Sequence, residues 1–265
     1  MPKTLPIRVM TYNIRNSAAG DGPNAWPLRR QLWIEIARKF DPDLLGVQEV
    51  LADQYDDLRQ AFPDYTLAGV AREDGDRLGE WSLILYRTDR FNEIARGDFW
   101  LSESPAVPGS KSWDAACCRL CSWVQLLDRN TEKAFRFANV HLDHVGKLAR
   151  EKSAEMLLRE LEQRKGRLPF ILTGDFNSTE VDQPYKTLIR HGLIDSYITA
   201  NPVRLADETT WHDFGTSADG LRIDWILHSP EFTATAATID RTRGPDGRCG
   251  SDHDPVTAVL HRVDE

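Results

Sequence analysis

The sequence predicts an α/β fold, of the α+β kind, in which two sheets pack face to face with helices outside. Three observations predict it. Short extended apolar runs alternate with amphipathic helical stretches in both halves of the chain. No Pro/Ser-rich linker or change of composition separates the halves, so residues 1–265 read as one domain with three long loops, 69–80, 102–117 and 201–222. The polar residues able to do chemistry stand at the C-terminal ends of apolar strands, where a layered protein gathers its site on loops carried by a rigid scaffold.

Residues 7–14 (IRVMTYNI) read as the first strand, followed by a helix over 26–40 with Leu28, Leu32, Ile36 and Phe40 on one side and Pro42 closing it. Residues 43–50 (DLLGVQEV) form a buried strand and 52–62 a second helix. Further strands are expected at 65–70, 81–86, 91–101, 119–127 and 134–142. The second half repeats the theme with a long helix over 147–163, a strand at 168–174, a helix at 183–191 and strands at 223–228, 232–239 and 256–261. Such alternation argues for two packed sheets rather than a single doubly wound one.

The chain has 265 residues, 41% hydrophobic and 28% charged, which excludes disorder and fibrous architecture. It carries 33 Lys+Arg against 41 Asp+Glu, a net charge of -8. A protein that grips nucleic acid along its backbone usually has an excess of basic residues, because phosphate contacts supply most of that affinity, so an extended nucleic acid is disfavoured as a partner. The N-terminal residues MPKTLPIRVM lack the apolar stretch of a signal peptide, and no run approaches the roughly 18 apolar residues that span a bilayer. The expectation is a cytoplasmic monomer without a transmembrane segment. Cys117, Cys118, Cys121 and Cys249 are a poor framework for disulfides and read as free thiols. Cys118 and Cys121 form a C-x-x-C, but no second pair stands at zinc-finger spacing.

Asn13 ends the first strand, and Glu49 ends DLLGVQEV. His141 ends FRFANVHL, and Asp175 and Asn177 follow LPFILTG. Asp224 lies in RIDWIL, and Asp252 and His253 precede the last strand. Hard oxygen ligands favour Mg²⁺ or Mn²⁺ over zinc, with substrate phosphate completing the shell. Carboxylates that orient water and imidazoles that move protons or stabilise an anion complete the inventory for phosphate ester hydrolysis. No G-x-S-x-G nucleophile elbow and no G-x-x-x-x-G-K-[ST] phosphate loop is present, which excludes the serine hydrolases and nucleoside triphosphatases built on those motifs.

The strings TYNIR (11–15), QE (48–49), NVHLDH (139–144), GDFN (174–177), RIDWIL (222–227) and SDHDPV (251–256) together resemble the endonuclease/exonuclease/phosphatase superfamily, the deoxyribonuclease I-like metal-dependent hydrolases. Each motif alone is weak, but GDFN and SDHDP with the others in order are strong. The resemblance implies a four-layer α/β sandwich of two mostly antiparallel sheets flanked by helices. It implies that Asn13 and Glu49 lie at the metal, Glu49 as direct Mg²⁺ ligand, and that His141 contacts the scissile phosphate. Asp175 would orient or deprotonate the attacking water, Asn177 would hold a phosphate oxygen, and Asp224 would orient an imidazole or a phosphate-side group. Asp252 would join the metal site or buttress a histidine, and His253 would be the imidazole closest to the reacting phosphate. Either Asp175 or His253 would serve as the base.

Taken singly, these residues have plainer readings. Asn13 would be a turn former, Glu49 a solvated strand end, Asp175 and Asn177 an Asx-turn, and the histidines satisfied strand ends. Their ordered set favours the functional reading. For His144 the structural reading is preferred, Arg150 is assigned to a helix surface, and His191, His228 and His261 read as structural or exposed. Trp211, His212 and Phe214 in TWHDFG are expected to wall a substrate pocket, against the alternative of a loop pinned to the core. Arg119 aims at a phosphate or pairs with an acid. The acidic loop 71–80 reads as solvated. The expected activity is Mg²⁺- or Mn²⁺-dependent hydrolysis of a phosphate ester, first a small or modest phosphodiester attacked in line by water. A nuclease or deadenylase-like exonuclease is the alternative, and a catalytically silent binding module the alternative from another class. The intact set of acids and imidazoles argues against the last.

Overall fold

The computed structural model describes residues 5–163, 168–205, 207–217 and 220–263. Strands β1 (Ile7–Asn13), β2 (Leu44–Val50), β3 (Tyr65–Ala68), β4 (Trp81–Arg87), β11 (Phe232–Ile239) and β12 (Val256–Arg262) form one sheet in the order β11-β12-β1-β2-β4-β3. Strands β5 (Phe91–Trp100), β6 (Leu120–Asp128), β7 (Lys133–His141), β8 (Phe170–Asp175), β9 (Ile194–Asp195) and β10 (Asp224–His228) form the other, in the order β5-β6-β7-β8-β10-β9. The helices are α1 (Trp26–Phe40), α2 (Ala52–Ala61), α3 (Lys147–Gln163), α4 (Gln183–Arg190) and α5 (Ser196–Ala200).

Each sheet is antiparallel except for one central parallel pair, β1 with β2 and β7 with β8. A parallel pair cannot be joined by a tight turn and needs a crossover; α1 supplies one and α3 the other. The central strands are covered on both faces, which is why IRVMTYN and FILTGD read as near-continuous apolar runs. Val9, Leu44, Ile84, Phe137, Ile171 and Ile226 fill the space between the sheets. Trp33, Leu58 and Tyr12 bury α1 and α2 on the first sheet, and Leu157, Leu188 and Trp225 bury α3 and α4 on the second. The result is the four-layer sandwich.

This architecture puts the chemistry on one rim. The C-terminal ends of β1, β2, β7 and β8 lie at the same edge, and β10 and β12, antiparallel to β8 and β1, start there. His141, Asp175 and Asp224 are therefore neighbours across three adjacent strands. Near that edge the sheets are tied by buried polar contacts: Gln48 Nε2 donates to Asn139 Oδ1 at 2.7 Å, and Asn139 Nδ2 donates to the carbonyls of Val47 and Leu83. Gly46 is required there, since a Cβ would collide with Thr173 and Asn139 of the facing sheet.

Several expectations are corrected. The buried face of α1 is Trp26, Arg29, Trp33, Ile36 and Ala37, whereas Leu28 is exposed, because the Trp residues outweigh the Leu stripe in apolar area. The helix ends as expected, with Asp41 left-handed before Pro42. Strand β3 stops at Ala68, short of residue 70. The short β9 and α5 were not foreseen; two residues are too few to show a period, and α5 is held by its Asp195 cap. The acidic loop is not simply solvated. It folds back as a hairpin, with Arg72 N donating to Glu80 O and Glu73 N to Leu78 O, and its neck carries Arg72 and Glu80 to the rim.

Candidate active site

A cavity of about 460 Å³ opens at the rim. Its acidic part is built from both sheets. Asn13, fully buried at the end of β1, donates through Nδ2 to Glu49 Oε1 and to Asp175 Oδ2, each at 3.0 Å, and so joins the two sheets. Glu49 stands at a register shift of β2 against β4 with φ 65°, and Asn177 has φ 45°. Left-handed backbone in residues other than glycine is costly, and a bulge re-aims a side chain. Here it turns the Glu49 carboxylate toward Asn13, while Asn16 donates to its other oxygen at 3.0–3.1 Å. Asp252 faces Arg15 NH1 at 3.6 Å and accepts from Ser251 Oγ.

Two imidazoles flank Asp175 Oδ2, with His141 Nε2 at 3.5 Å and His253 Nε2 at 3.7 Å. They are held in opposite charge states. Burial opposes the His253 imidazolium, but Asp224, bonded to Nδ1 at 2.8 Å, and Asp252 outweigh it and raise its pKa well above the usual value. Burial, then the charges of Arg119 and Arg72, hold His141 well below the usual value, so it is neutral. Asn177 Nδ2 bonds His141 Nε2 and donates to Leu142 O, each at 3.0 Å, which leaves the His141 proton on Nδ1. Burial and the neighbouring charge of Asp224 push Asp175 up to about 7, against the pull of His253. Burial raises Asp252 also. For Glu49, burial is outweighed by Asn13, His253 and Asn16, and its pKa falls.

Crowding of buried carboxylates is the arrangement a cation relieves. Glu49, His141 and Asp175 bring ligand atoms within 4.8 Å of one another, and Asp175, Asp224 and His253 do the same. The carboxylate oxygens here suit a hard divalent ion.

The opposite wall is cationic. Arg72 NH1 meets Glu80 Oε2 at 2.5 Å, and Arg119 NH1 approaches the same oxygen at 3.4 Å. Arg119 NH2 lies 3.4 Å from His144 Nδ1, and Glu80 Oε2 lies 3.9 Å from His141 Nδ1. Glu80, Arg72 and His144 were missed from the sequence as site residues. Glu80 and Arg72 become neighbours only when the hairpin closes; His144 stands in NVHLDH and was within reach. The third wall is Trp211, Leu221 and Ile223, with Trp211 bridged to Leu221 and His253.

Of the expected residues, Glu49, His141, Asp175, Asn177, Asp252, His253, Arg119 and Trp211 line the cavity. Asn13 and Asp224 stand behind the wall, bonded to those that do. His212 and Phe214 do not line it, contrary to expectation. The buried His212 faces Asp254 at 3.3 Å, and Phe214 lies over the Arg29 guanidinium, 5.7 Å from ring centroid to Cζ. His212 caps the tight turn Asp213–Gly215, which carries Phe214 away, so that of the three only Trp211 reaches the cavity. Asp254 also bonds Arg241 and Arg243, each at 2.6 Å, and fastens this loop to the start of β12. Arg150 donates to Asp143 O rather than reaching the cavity. The four cysteines are free. Among the described residues no helix is long and apolar enough to cross a membrane.

The chain is similar to known proteins over nearly its whole length. A solved mannosyl-6-phosphatase from Bacteroides thetaiotaomicron is 38% identical, with a TM-score of 0.89 covering 96% of this chain and 99% of that one. A family protein of the same organism is 36% identical, with a TM-score of 0.92 over 99% of both chains. Protein angel of Drosophila melanogaster is 27% identical over 260 residues, 89% of this chain and 72% of that protein. Residues 10–253 match the endonuclease/exonuclease/phosphatase family, a span that contains every rim residue from Asn13 to His253. With the fold and rim already in hand, that match makes the chain a member of the endonuclease/exonuclease/phosphatase family, hydrolases that act on phosphoester bonds.

Proposed function

We propose that the chain is a Mg²⁺- or Mn²⁺-dependent phosphoesterase that takes small phosphate esters, monoesters before diesters. The observation that carries this is the division of the cavity into a carboxylate flank and a flank with two guanidiniums, with His141 between them. A monoester carries about −1.5 to −2 charge at neutral pH. Arg72 pairs with both Glu80 and Glu73, whereas Arg119 reaches only Glu80, at 3.4 Å, so Arg119 is the less neutralised guanidinium and the one to meet the extra charge of a monoester. The likeness to a mannosyl-6-phosphatase supports a sugar phosphate as the first candidate. The diester expected from the sequence stands second, and a nuclease third, since the net charge of -8 opposes a polyanion.

Glu49 and Asp252 would hold the ion, with Asn13 orienting Glu49 from behind, and the ion when bound polarises the phosphoryl group and offsets the charge of the leaving oxygen. Asp175, raised to about 7 by burial and by Asp224, would accept the proton of the attacking water, and its place between Asn13 and the two imidazoles fixes its direction. His253, kept protonated by Asp224, offers a positive N–H to the phosphate. Asn177 donates to Nε2 of neutral His141 and fixes that ring beside Asp175.

The test compares kcat/KM for a hexose 6-phosphate and for bis-p-nitrophenyl phosphate with Mn²⁺. A preference of about tenfold or more for the monoester is expected, equivalent to about 1.4 kcal/mol in the barrier. A preference for the diester restores the earlier ordering, and cleavage of single-stranded DNA or RNA at comparable efficiency makes the chain a nuclease. Trp211→Ala should lower kcat/KM for the sugar phosphate more than for p-nitrophenyl phosphate.

A further inference from the structure

Arg29 is fully buried, yet among the described residues no carboxylate bonds to it. Its guanidinium donates only to main-chain carbonyls: Nε to Asn24 at 2.8 Å, NH1 to Ile14 at 2.6 Å and Gly250 at 2.9 Å, and NH2 to Arg15 at 2.7 Å. Trp26 and Phe214 lie over it, at 5.1 and 5.7 Å. Burying a guanidinium against neutral oxygens is expensive, and a helix that only needed to pack on the sheet would use an apolar residue here. The acceptors explain the choice.

Ile14 and Arg15 directly follow Asn13, and Arg15 N donates to Asn13 Oδ1 at 2.8 Å. The next residue, Asn16, holds Glu49 by its N–H and its amide. Gly250 directly precedes Ser251, which bonds Asp252, and then His253. The two segments lie at opposite ends of the chain, one following β1 and the other preceding β12. Their strands pair only as far as Thr11 and Val256, so the ladder stops short of the residues that matter. Arg29 continues the connection where the ladder ends. Gly250 fits this geometry closely, since a Cβ there would strike the Tyr12 hydroxyl and crowd Ile36 and Trp33 of α1.

We infer that Arg29 is the positioning residue of the metal-side rim, holding the segment that carries Asn13 and fixes Glu49 at a set distance from the segment that carries Asp252 and His253. The inference rests on the reading of that rim as a divalent-cation site. Only a fork with several donors in one plane meets carbonyls from three directions; a lysine in the same place keeps the charge and loses the geometry.

The test is Mn²⁺ binding to the full chain, without substrate, by titration calorimetry, with thermal unfolding measured alongside. Arg29→Lys should raise the Mn²⁺ Kd about 10–100-fold, the range seen when the partners that orient metal ligands are removed. Arg30→Gln, on the exposed face of the same helix and paired with Asp57, should leave it unchanged. Gly250→Ala should weaken Mn²⁺ binding by displacing the second segment, and Tyr12→Phe in the same chain should restore most of it by removing the hydroxyl, the nearest atom that the new methyl meets. This pair reports on the clamp even if Arg29→Lys does not fold. A folded Arg29→Lys with a wild-type Kd, or a Gly250→Ala that binds normally, overturns the inference. A wild-type chain that binds no Mn²⁺ overturns instead the functional reading on which it stands.

Discussion

At the scale of single residues, the rim is organised by opposed protonation. Asp175 is raised to about 7 by burial and by Asp224. A carboxyl whose folded pKa lies above its unfolded value of about 3.9 contributes stability that is fully present below that value and is lost as pH rises through the folded pKa. The cation-free protein should therefore lose stability from this group between about pH 4 and pH 7. Asp175→Asn, which never ionises, should melt higher than wild type at pH 8 in EDTA by about 2–4 °C, the shift that about 1 kcal/mol gives in a chain of this size. The difference should vanish near pH 4, and the variant should be inactive throughout. Equal melting at pH 8 would mean that Asp175 is not under repulsion. The strand-end residues Asn13, Glu49, His141, Asp175, Asp252 and His253 were legible in the sequence because each directly ends or precedes an apolar run. Arg72 and Glu80 were not, because a loop rich in charge looks solvated until its hairpin neck is seen. Arg29 was hidden on α1, although its spacing from Trp26 and Trp33, three and four residues away, puts it on their buried face.

At the scale of elements, the rim depends on what packs behind it. Phe176 follows Asp175 and precedes Asn177, and its ring stacks on Trp225 at 4.4 Å with an interplanar angle of 17°. Both are fully buried, and Tyr185 of α4 meets Trp225 edge-on. Removing the Trp225 ring should cost about 3–5 kcal/mol of stability. It should also loosen the turn that sets Asn177 in its left-handed conformation. Trp225→Ala, followed by urea unfolding and by kcat at a temperature where it stays folded, should lose both stability and turnover; a stable, fully active variant would separate the turn from its packing. The strands and long helices were readable from periodicity, since central strands covered on both faces are continuous apolar runs. The face of α1 was read in part: Ile36 is buried and Leu32 and Phe40 pack against the core, but Leu28 is exposed, because Trp26 and Trp33 turn the buried face toward their indoles. His212 and Phe214 were misplaced for a related reason: sequence shows that a loop is aromatic but not which side each residue takes.

At the scale of the whole molecule, the excess of acidic residues no longer speaks against phosphate chemistry. Part of it lies in the buried carboxylates of one rim, and two arginines face them across the cavity. The rest keeps the surface unfavourable to a polyanion. The fold's contribution is convergence: parallel central pairs in both sheets deliver strand ends to one edge, and the sheets meet there through Asn13 and Asp175. Release of inorganic phosphate from a hexose 6-phosphate, followed as Mn²⁺ is titrated into EDTA-treated wild type and Asp175→Asn, tests this account most directly. Saturable activation of the wild type, abolished by EDTA, with turnover in the variant lower by about 10²–10⁴-fold, is the predicted result. Hydrolysis that persists in EDTA, or a variant as active as wild type, would contradict it.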